Sequence, residues 1–172
     1  MNLYLRLIWL LLTWRKRPAC DLMGPCRTPL IVLPNDLDVF MHVNNGRYFT
    51  LLDLARTDLM LRSGLYDKIQ AARWYPVVAM ETMQFRKSLK CWQRFEVETT
   101  VLGWDEKSVY LEQRFVVGEE TYAVAVIRAR FLRRAGGSVP SAELMALAGH
   151  NEVSPPLPQW LQAWGDGMAA LR

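Results

Sequence analysis

The spacing of apolar positions changes along the chain, and each change marks an element. Residues 3–14 are almost wholly apolar, broken by Arg6 and followed by Arg15, Lys16 and Arg17. This run is shorter than the roughly 20 residues that span a bilayer. The positive charges follow the run and no small-residue cleavage site appears, which argues against a cleaved signal peptide. Two expectations stay open for it. One is a helix packed on the domain or on a subunit interface. The other is an interfacial helix, with Trp9 and Trp14 at headgroup level and the basic cluster on anionic lipid.

Residues 18–29 hold Pro18, Gly24, Pro25 and Pro29 and read as a linker. Residues 30–33 are a short apolar run expected as a strand, and 35–44 a polar-punctuated loop. Tyr48, Leu51, Leu52, Ala55 and Leu59 then recur at helical spacing, and Gly64 follows them. The pattern predicts a helix over 45–63, capped by the side chain of Asn44 or Asn45. Four strand-like runs come next, at 75–85, 95–102, 108–117 and 121–132. In the last, Arg128 and Arg130 alternate with Ile127, Ala129 and Phe131. Residues 103–107 and 117–120 read as hairpin turns. The tail predicts helices over 141–148 and 157–171, separated by Pro155, Pro156 and Pro158.

A helix followed by consecutive strands with short connections indicates an α+β fold with an antiparallel sheet. Ala123, Ala125 and Ala129 are small enough to let a sheet wrap closely round a helix. A chain of 172 residues suits one domain with a full core. The net charge of +4 suits a ligand carrying phosphates and is too small to imply nucleic acid, for which no motif is present. Cys20, Cys26 and Cys91 have no zinc-ligand spacing and are expected to be free thiols in a reducing compartment.

Candidate chemistry concentrates just before the long helix. Asp36-Leu37-Asp38-Val39-Phe40-Met41-His42-Val43-Asn44-Asn45 places two carboxylates, one imidazole and two amides together. A helix start offers unpaired N–H groups and the positive end of the dipole. Such groups hold the oxyanion of a tetrahedral intermediate, while a nearby carboxylate attacks a thioester or activates water. The pattern therefore permits acyl transfer.

The run Asp-x-Asp-x-x-x-His-x-Asn-Asn-x-x-Tyr ahead of an apolar helix resembles the hotdog-fold thioesterases. These include plant acyl-ACP thioesterases and 4-hydroxybenzoyl-CoA thioesterase with its bacterial acyl-CoA relatives. The likeness is nearest to the thioesterase superfamily member six-like group. There it continues through Asn44–Tyr48, Leu102-Gly103-Trp104-Asp105 and Tyr110-Leu111-Glu112. The resemblance implies an antiparallel sheet wrapped round one long central helix, over residues 28–135. Residues 1–27 form an apolar helix and linker, and 136–172 a helical tail.

By that resemblance Asp38 is the nucleophile or general base, and His42 matches the motif histidine. The backbone N–H of Asn45, or of Gly46 beside it, polarises the thioester carbonyl. Plant-type enzymes carry an asparagine two residues after the aspartate. Phe40 stands there, and a phenyl ring cannot hydrogen-bond water; hydroxybenzoyl-type enzymes also lack that asparagine. Phe40 and Tyr48 are expected at the substrate, with Tyr48 structural in character. Arg86, Lys87 and Lys90 form a basic cluster suited to the phosphates of coenzyme A, or else a solvated sheet edge. Asp53 on the helix is the alternative acid, although its spacing to Arg56 also suits a plain salt bridge.

The function expected is hydrolysis of acyl-CoA, with no metal or redox cofactor and coenzyme A only as part of the substrate. The alternative is a non-enzymatic acyl-CoA-binding or membrane-associated hotdog protein. A hydratase is disfavoured, because Asp38 lies four residues before His42, not five, and proline is missing. The resemblance implies a homodimer or a dimer of dimers. The expected location is cytoplasmic, with peripheral contact on the cytoplasmic face of a membrane through residues 3–17.

Overall fold

The computed structural model describes residues 2–169, without the side chains of residues 2, 166, 168 and 169. Helix α1 (Asn2–Thr13) leads through a 3₁₀ turn into strand β1 (Cys26–Ile31). Helix α2 (Asn45–Arg62) and the short α3 (Leu65–Ala71) precede four long strands. These are β2 (Trp74–Phe85), β3 (Arg94–Trp104), β4 (Val109–Val117) and β5 (Glu120–Arg133). A two-residue β6 (Ser138–Val139), α4 (Ser141–Ala148) and α5 (Gln159–Ala169) complete the chain. The last two positions of the helix expected over 157–171 lie outside the described residues.

The sheet is antiparallel in the order β1-β3-β4-β5-β2, with β6 pairing β5. Strand β3 alternates buried and half-buried residues along its length, the period-2 pattern that turns one face inward. Phe95, Val97, Val101, Phe115, Ala125 and Ile127 line that face and meet Tyr48, Leu51, Leu52, Ala55 and Leu59 of α2. Burying each Leu or Phe contributes about 1.5–3 kcal/mol. Leu54, Asp58 and Leu61 are buried too, on the side of α2 that α1 and β1 cover. The central helix is thus enclosed between the sheet and α1. On the opposite sheet face, Tyr110 and Val126 pack with Leu161 of α5.

α2 starts and ends where capping chemistry places its limits. The Asn44 side chain accepts from Gly46 N at 2.9 Å, so Asn44 is the cap and Asn45 the first helical residue. At the far end Gly64 has φ +72° and follows the C-cap Ser63, which a residue with Cβ adopts only at a cost.

Two expectations are corrected. The stretch expected to be a linker already enters the sheet at Cys26, so β1 runs through Pro29. Proline is tolerated there because β1 is an edge strand. Cys20 and Cys26 are joined in a disulfide, with Cα atoms 5.8 Å apart; only Cys91 is free. A turn at 21–24, closed by Gly24 N to Asp21 O at 3.3 Å, folds the two cysteines together. With that bond, cysteine usage no longer argues for a reducing compartment. No helix among the described residues is long and apolar enough to cross a membrane.

Candidate active site

The loop before α2 is held from beneath by Asp36. Its carboxylate is fully buried and accepts from Arg6 and Arg47, and from Leu33 N at 2.8 Å. Asn44 N donates to Asp36 O at 2.8 Å. Asp36 thereby ties α1, the loop and the first turn of α2 together.

From that base the chain makes a narrow excursion. Leu37 and Val43 form a β-bridge. Asp38 N donates to His42 O at 2.8 Å, and Met41 N to Asp38 O at 3.0 Å. Met41 sits at φ +60°. The Asp38 carboxylate faces inward over this turn, where Oδ1 accepts from Phe40 N at 2.9 Å and His42 N at 3.3 Å. Its Oδ2 accepts no hydrogen bond among the described residues. The group is half-buried, oriented by one oxygen and available through the other.

The start of α2 follows directly. Gly46 N–H is engaged by its Asn44 cap and Arg47 N–H by Asn44 O at 2.8 Å. The Asn45 N–H has no acceptor among the described residues. Of the two amides expected to polarise a carbonyl, Asn45 is therefore the one uncommitted, and Gly46 is occupied. His42, Asn44 and Asn45 are solvent-exposed.

Phe40 reaches solvent with Val39 and Met41. Its backbone N–H serves Asp38, while the residue is 77% exposed. Tyr48, expected at the substrate, is instead buried in the core. Its ring meets Phe85 and Phe115 edge-on at 5.1 and 4.9 Å. Helical period explains this depth, because Tyr48 shares the inward face with Leu51 and Leu52. Its hydroxyl accepts from Leu89 N at 3.4 Å, and burial pushes its pKa up against that bond.

The Leu89 contact brings the basic segment to the same end of the molecule. Arg86 N and Lys87 N donate to Tyr122 O at 2.8 and 3.0 Å, and Trp92 N to Val32 O at 2.9 Å. Arg86, Lys87 and Lys90 are exposed. Lys87 is paired with Glu120; Arg86 bonds Gln84.

Asp53 stands apart. It lies eight residues into α2, about 12 Å along the axis from Asn45. It pairs with Arg56 at the mouth of a cavity of about 310 Å³ between α2 and the sheet. The cavity walls are aliphatic, among them Leu22, Met60, Val78, Leu111, Ala129 and Met145. Arg56 Nη1 also donates to Gln113 Oε1 at 2.7 Å. Gln113 is fully buried and donates onward to Thr99 Oγ1 at 3.0 Å and Leu52 O at 3.2 Å. Glu81 lies 4.0 Å from Arg56. Burial raises its pKa; Arg56 opposes the shift and Asp53 adds to it.

Gln113, Thr99 and Glu81 are not among the residues expected from sequence. The available signal is Gln113, a polar residue at an inward position of β4 between Leu111 and Phe115.

Comparison with known proteins places this arrangement in a family. The model of the thioesterase-like superfamily matches residues 32–165, from the end of β1 into α5. The THEM6 protein of Xenopus laevis is 36% identical over 134 residues, covering 78% of this chain. The THEM6 protein of Danio rerio is 36% identical, covering 74%. The chain spans only 64% and 63% of the length of those two relatives. Among solved structures, gentisyl-coenzyme A thioesterase BH1999 superposes with a TM-score of 0.64 at 16% identity, covering 70% of this chain and 99% of that one. Protein SAV2348 of Staphylococcus aureus, determined in complex with CoA, gives 0.64 at 12% identity, covering 83% and 94%. The sheet wrapped round α2 is thus the hotdog fold, and this chain belongs to the thioesterase-like superfamily.

Proposed function

We propose that this protein hydrolyses acyl-CoA thioesters at the junction of the Asp38 loop and α2. One observation carries the reading: Asp38 is oriented through Oδ1 by two backbone amides, beside an uncommitted Asn45 N–H at a helix start. In this mechanism the carbonyl oxygen of the thioester accepts from Asn45 N–H. The carboxylate removes a proton from water as its oxygen attacks the carbonyl carbon, or attacks that carbon itself. The tetrahedral oxyanion gains from the amide and the helix dipole, a donor of this kind contributing about 3–4 kcal/mol. Collapse breaks the C–S bond, and the thiolate leaves and is protonated. Attack by water gives the free acid directly, whereas attack by the carboxylate leaves a mixed anhydride on Asp38 that water then hydrolyses, releasing the acid and restoring the carboxylate. In this reading His42, on the same loop, serves in positioning or proton transfer.

The aliphatic cavity suits the acyl chain, and Arg86 and Lys90, at the loop end, suit the phosphates of coenzyme A. Gentisyl-coenzyme A thioesterase shares the fold, and SAV2348 was solved with CoA; both support a CoA ester over other thioesters. The reading includes a homodimer. Strand β2 is a twelve-residue open edge exposing Tyr75, Val78 and Phe85, and such an edge is normally covered or blocked. The cavity reaches this edge at Pro76, Val77 and Val78, so a second copy paired there would wall it.

The test is thiol release from short, medium, long and aromatic acyl-CoAs by wild type and Asp38→Asn. Turnover that falls by about 100-fold or more in the variant supports the assignment. Wild-type binding of acyl-CoA without turnover on any member would instead make this a binding protein, the second reading that solvent-facing Phe40 leaves open. Full activity in Asp38→Asn would move the acid to Asp53.

A further inference from the structure

Helix α1 is apolar on both faces, and only one face has a partner. Leu3, Leu7 and Leu10 turn inward, joined by Arg6, which bonds Asp36 and donates to Ile31 O at 2.9 Å. The other face presents Tyr4, Leu5, Ile8, Trp9, Leu11 and Leu12, each between 47% and 72% exposed. A helix at a protein–water boundary carries polar residues on its outer face, and a contiguous apolar patch of this kind marks an interaction surface.

The charges around the patch have one sign. Residues 2–17 contain Arg6, Arg15, Lys16 and Arg17 and no acidic residue. Arg6 and Arg17 are committed inward to Asp36 and Asp58. Arg15 and Lys16 are exposed, with the Arg15 guanidinium 5.3 Å from the Trp14 ring. Beside α1 runs a groove of about 580 Å³, between Leu5 and Trp9 on one side and Ile31 and Leu33 on the other. Exposed Arg94 stands at its rim. The groove extends the apolar surface toward the loop that carries Asp38.

We infer that the outer face of α1 rests on an anionic lipid bilayer. The helix has twelve residues, a length of about 18 Å, against a hydrocarbon core of about 30 Å. These twelve residues do not reach across such a core; in this reading they lie in the interface. Tyr4, Trp9 and Trp14 supply the amphipathic rings that favour headgroup depth. Arg15 and Lys16 face phosphate, each contributing about 1 kcal/mol at an anionic surface. A second copy meeting this face with its own α1 is the poorer occupant, because residues 2–17 offer no carboxylate to meet these cations. The inference stands independently of the thioesterase chemistry.

The experiment is flotation of the full chain with vesicles of phosphatidylcholine alone or of equal parts phosphatidylcholine and phosphatidylserine. Wild type floats with the mixed vesicles. The double variant Trp9→Gln, Leu12→Gln stays folded by circular dichroism, because both side chains are exposed, and floats about tenfold less or worse. Arg15→Glu with Lys16→Glu weakens flotation by more than about tenfold. Wild type remaining in solution with the mixed vesicles overturns the inference, as does flotation of the Trp9/Leu12 variant equal to wild type. So does an oligomer, measured by sedimentation velocity, that shrinks in that variant while wild type ignores lipid; the face then belongs to a second copy.

Discussion

Arg56 reaches from the middle of α2 to the buried amide of Gln113, Nη1 to Oε1, at 2.7 Å. That bond fixes the guanidinium at the cavity mouth, where it also holds Asp53 and faces Glu81. Replacing Gln113 by Leu removes the acceptor and leaves Arg56 partly buried with one fewer partner. Unfolding free energy is expected to fall by about 1–3 kcal/mol in urea titration. Affinity for a long acyl-CoA is expected to weaken more than affinity for a short one.

Asp38→Asn and Asp38→Ala should separate chemistry from loop shape. An asparagine Oδ1 still accepts from Phe40 N and His42 N, so the turn survives and the base is lost. Alanine loses both. The expected outcome is a fall in kcat of about 100-fold or more for each variant. Only the alanine variant should also show faster amide exchange at residues 40–42, measured by NMR.

The cavity should respond to volume. Ala129 lines it from β5. Ala129→Leu adds bulk inside, so KM for long acyl-CoA should rise about tenfold or more, one extra methylene being worth about 1–3 kcal/mol in such a pocket. KM for acetyl-CoA should stay near wild type. Equal KM values across the series in both proteins would place the acyl chain elsewhere.

Asp105, Tyr110 and Arg128 form a cluster on the outer sheet face that predicts opposite pH windows. Burial pushes the Asp105 carboxyl up, but Lys107 N–H, the Tyr110 hydroxyl, Ser108 N–H and Arg128 outweigh it, and the pKa is lowered from its ordinary 3.8. A lowered folded pKa stabilises above the unfolded value and loses that contribution as pH falls through the folded one. Tyr110 is pushed up to about 12, by burial first and then by Asp105. Its contribution is present below its ordinary 10.0 and is lost as pH rises through about 12. Asp105→Asn should therefore be less stable than wild type at pH 7 in chemical denaturation. The two should converge at acid pH below the ordinary carboxylate value.

Gly103 marks the close approach of the tail. Its φ is +151°, and an added Cβ would stand 2.8 Å from Ser154 Oγ and 2.9 Å from Pro155 O. Gly103→Ala is expected to cost about 1–3 kcal/mol and to expose residues 154–169 to limited proteolysis before the rest of the chain.

The sequence made α2 legible because three signals agree there: a 3.6-residue apolar period, an Asn cap and a terminal glycine. The strands were legible through alternation, and the Asp38 loop through its density of polar groups ahead of a helix. Other features depend on what lies across space. Pro29 reads as a breaker until β1 is known to be an edge. Cys20 and Cys26 look unpaired until the turn between them folds them together. The short α3 follows Gly64 too closely to show a period of its own. The cavity takes its walls from α2, α3, four strands, α4 and Leu22, and no local pattern announces such a meeting. The side chain of Tyr48 was legible as a helix position, while its depth in the core was set by Phe85 and Phe115.

Two buried carboxylates fasten α1 to the body, Asp36 at Arg6 and Asp58 at Arg17, just past the helix end. Removing one partner of such a buried pair is costly, about 3–5 kcal/mol. Asp58 also accepts from Arg62 at 3.0 Å and Thr28 Oγ1 at 2.8 Å. A helix clamped at one point can roll about its axis, but one clamped along its length at Arg6 and again just past its end at Arg17 cannot. The outer residues of α1 therefore keep a fixed azimuth relative to α2 and the Asp38 loop. Any plane that α1 rests against sets the tilt of the whole domain, and with it the height and heading of the loop above that plane.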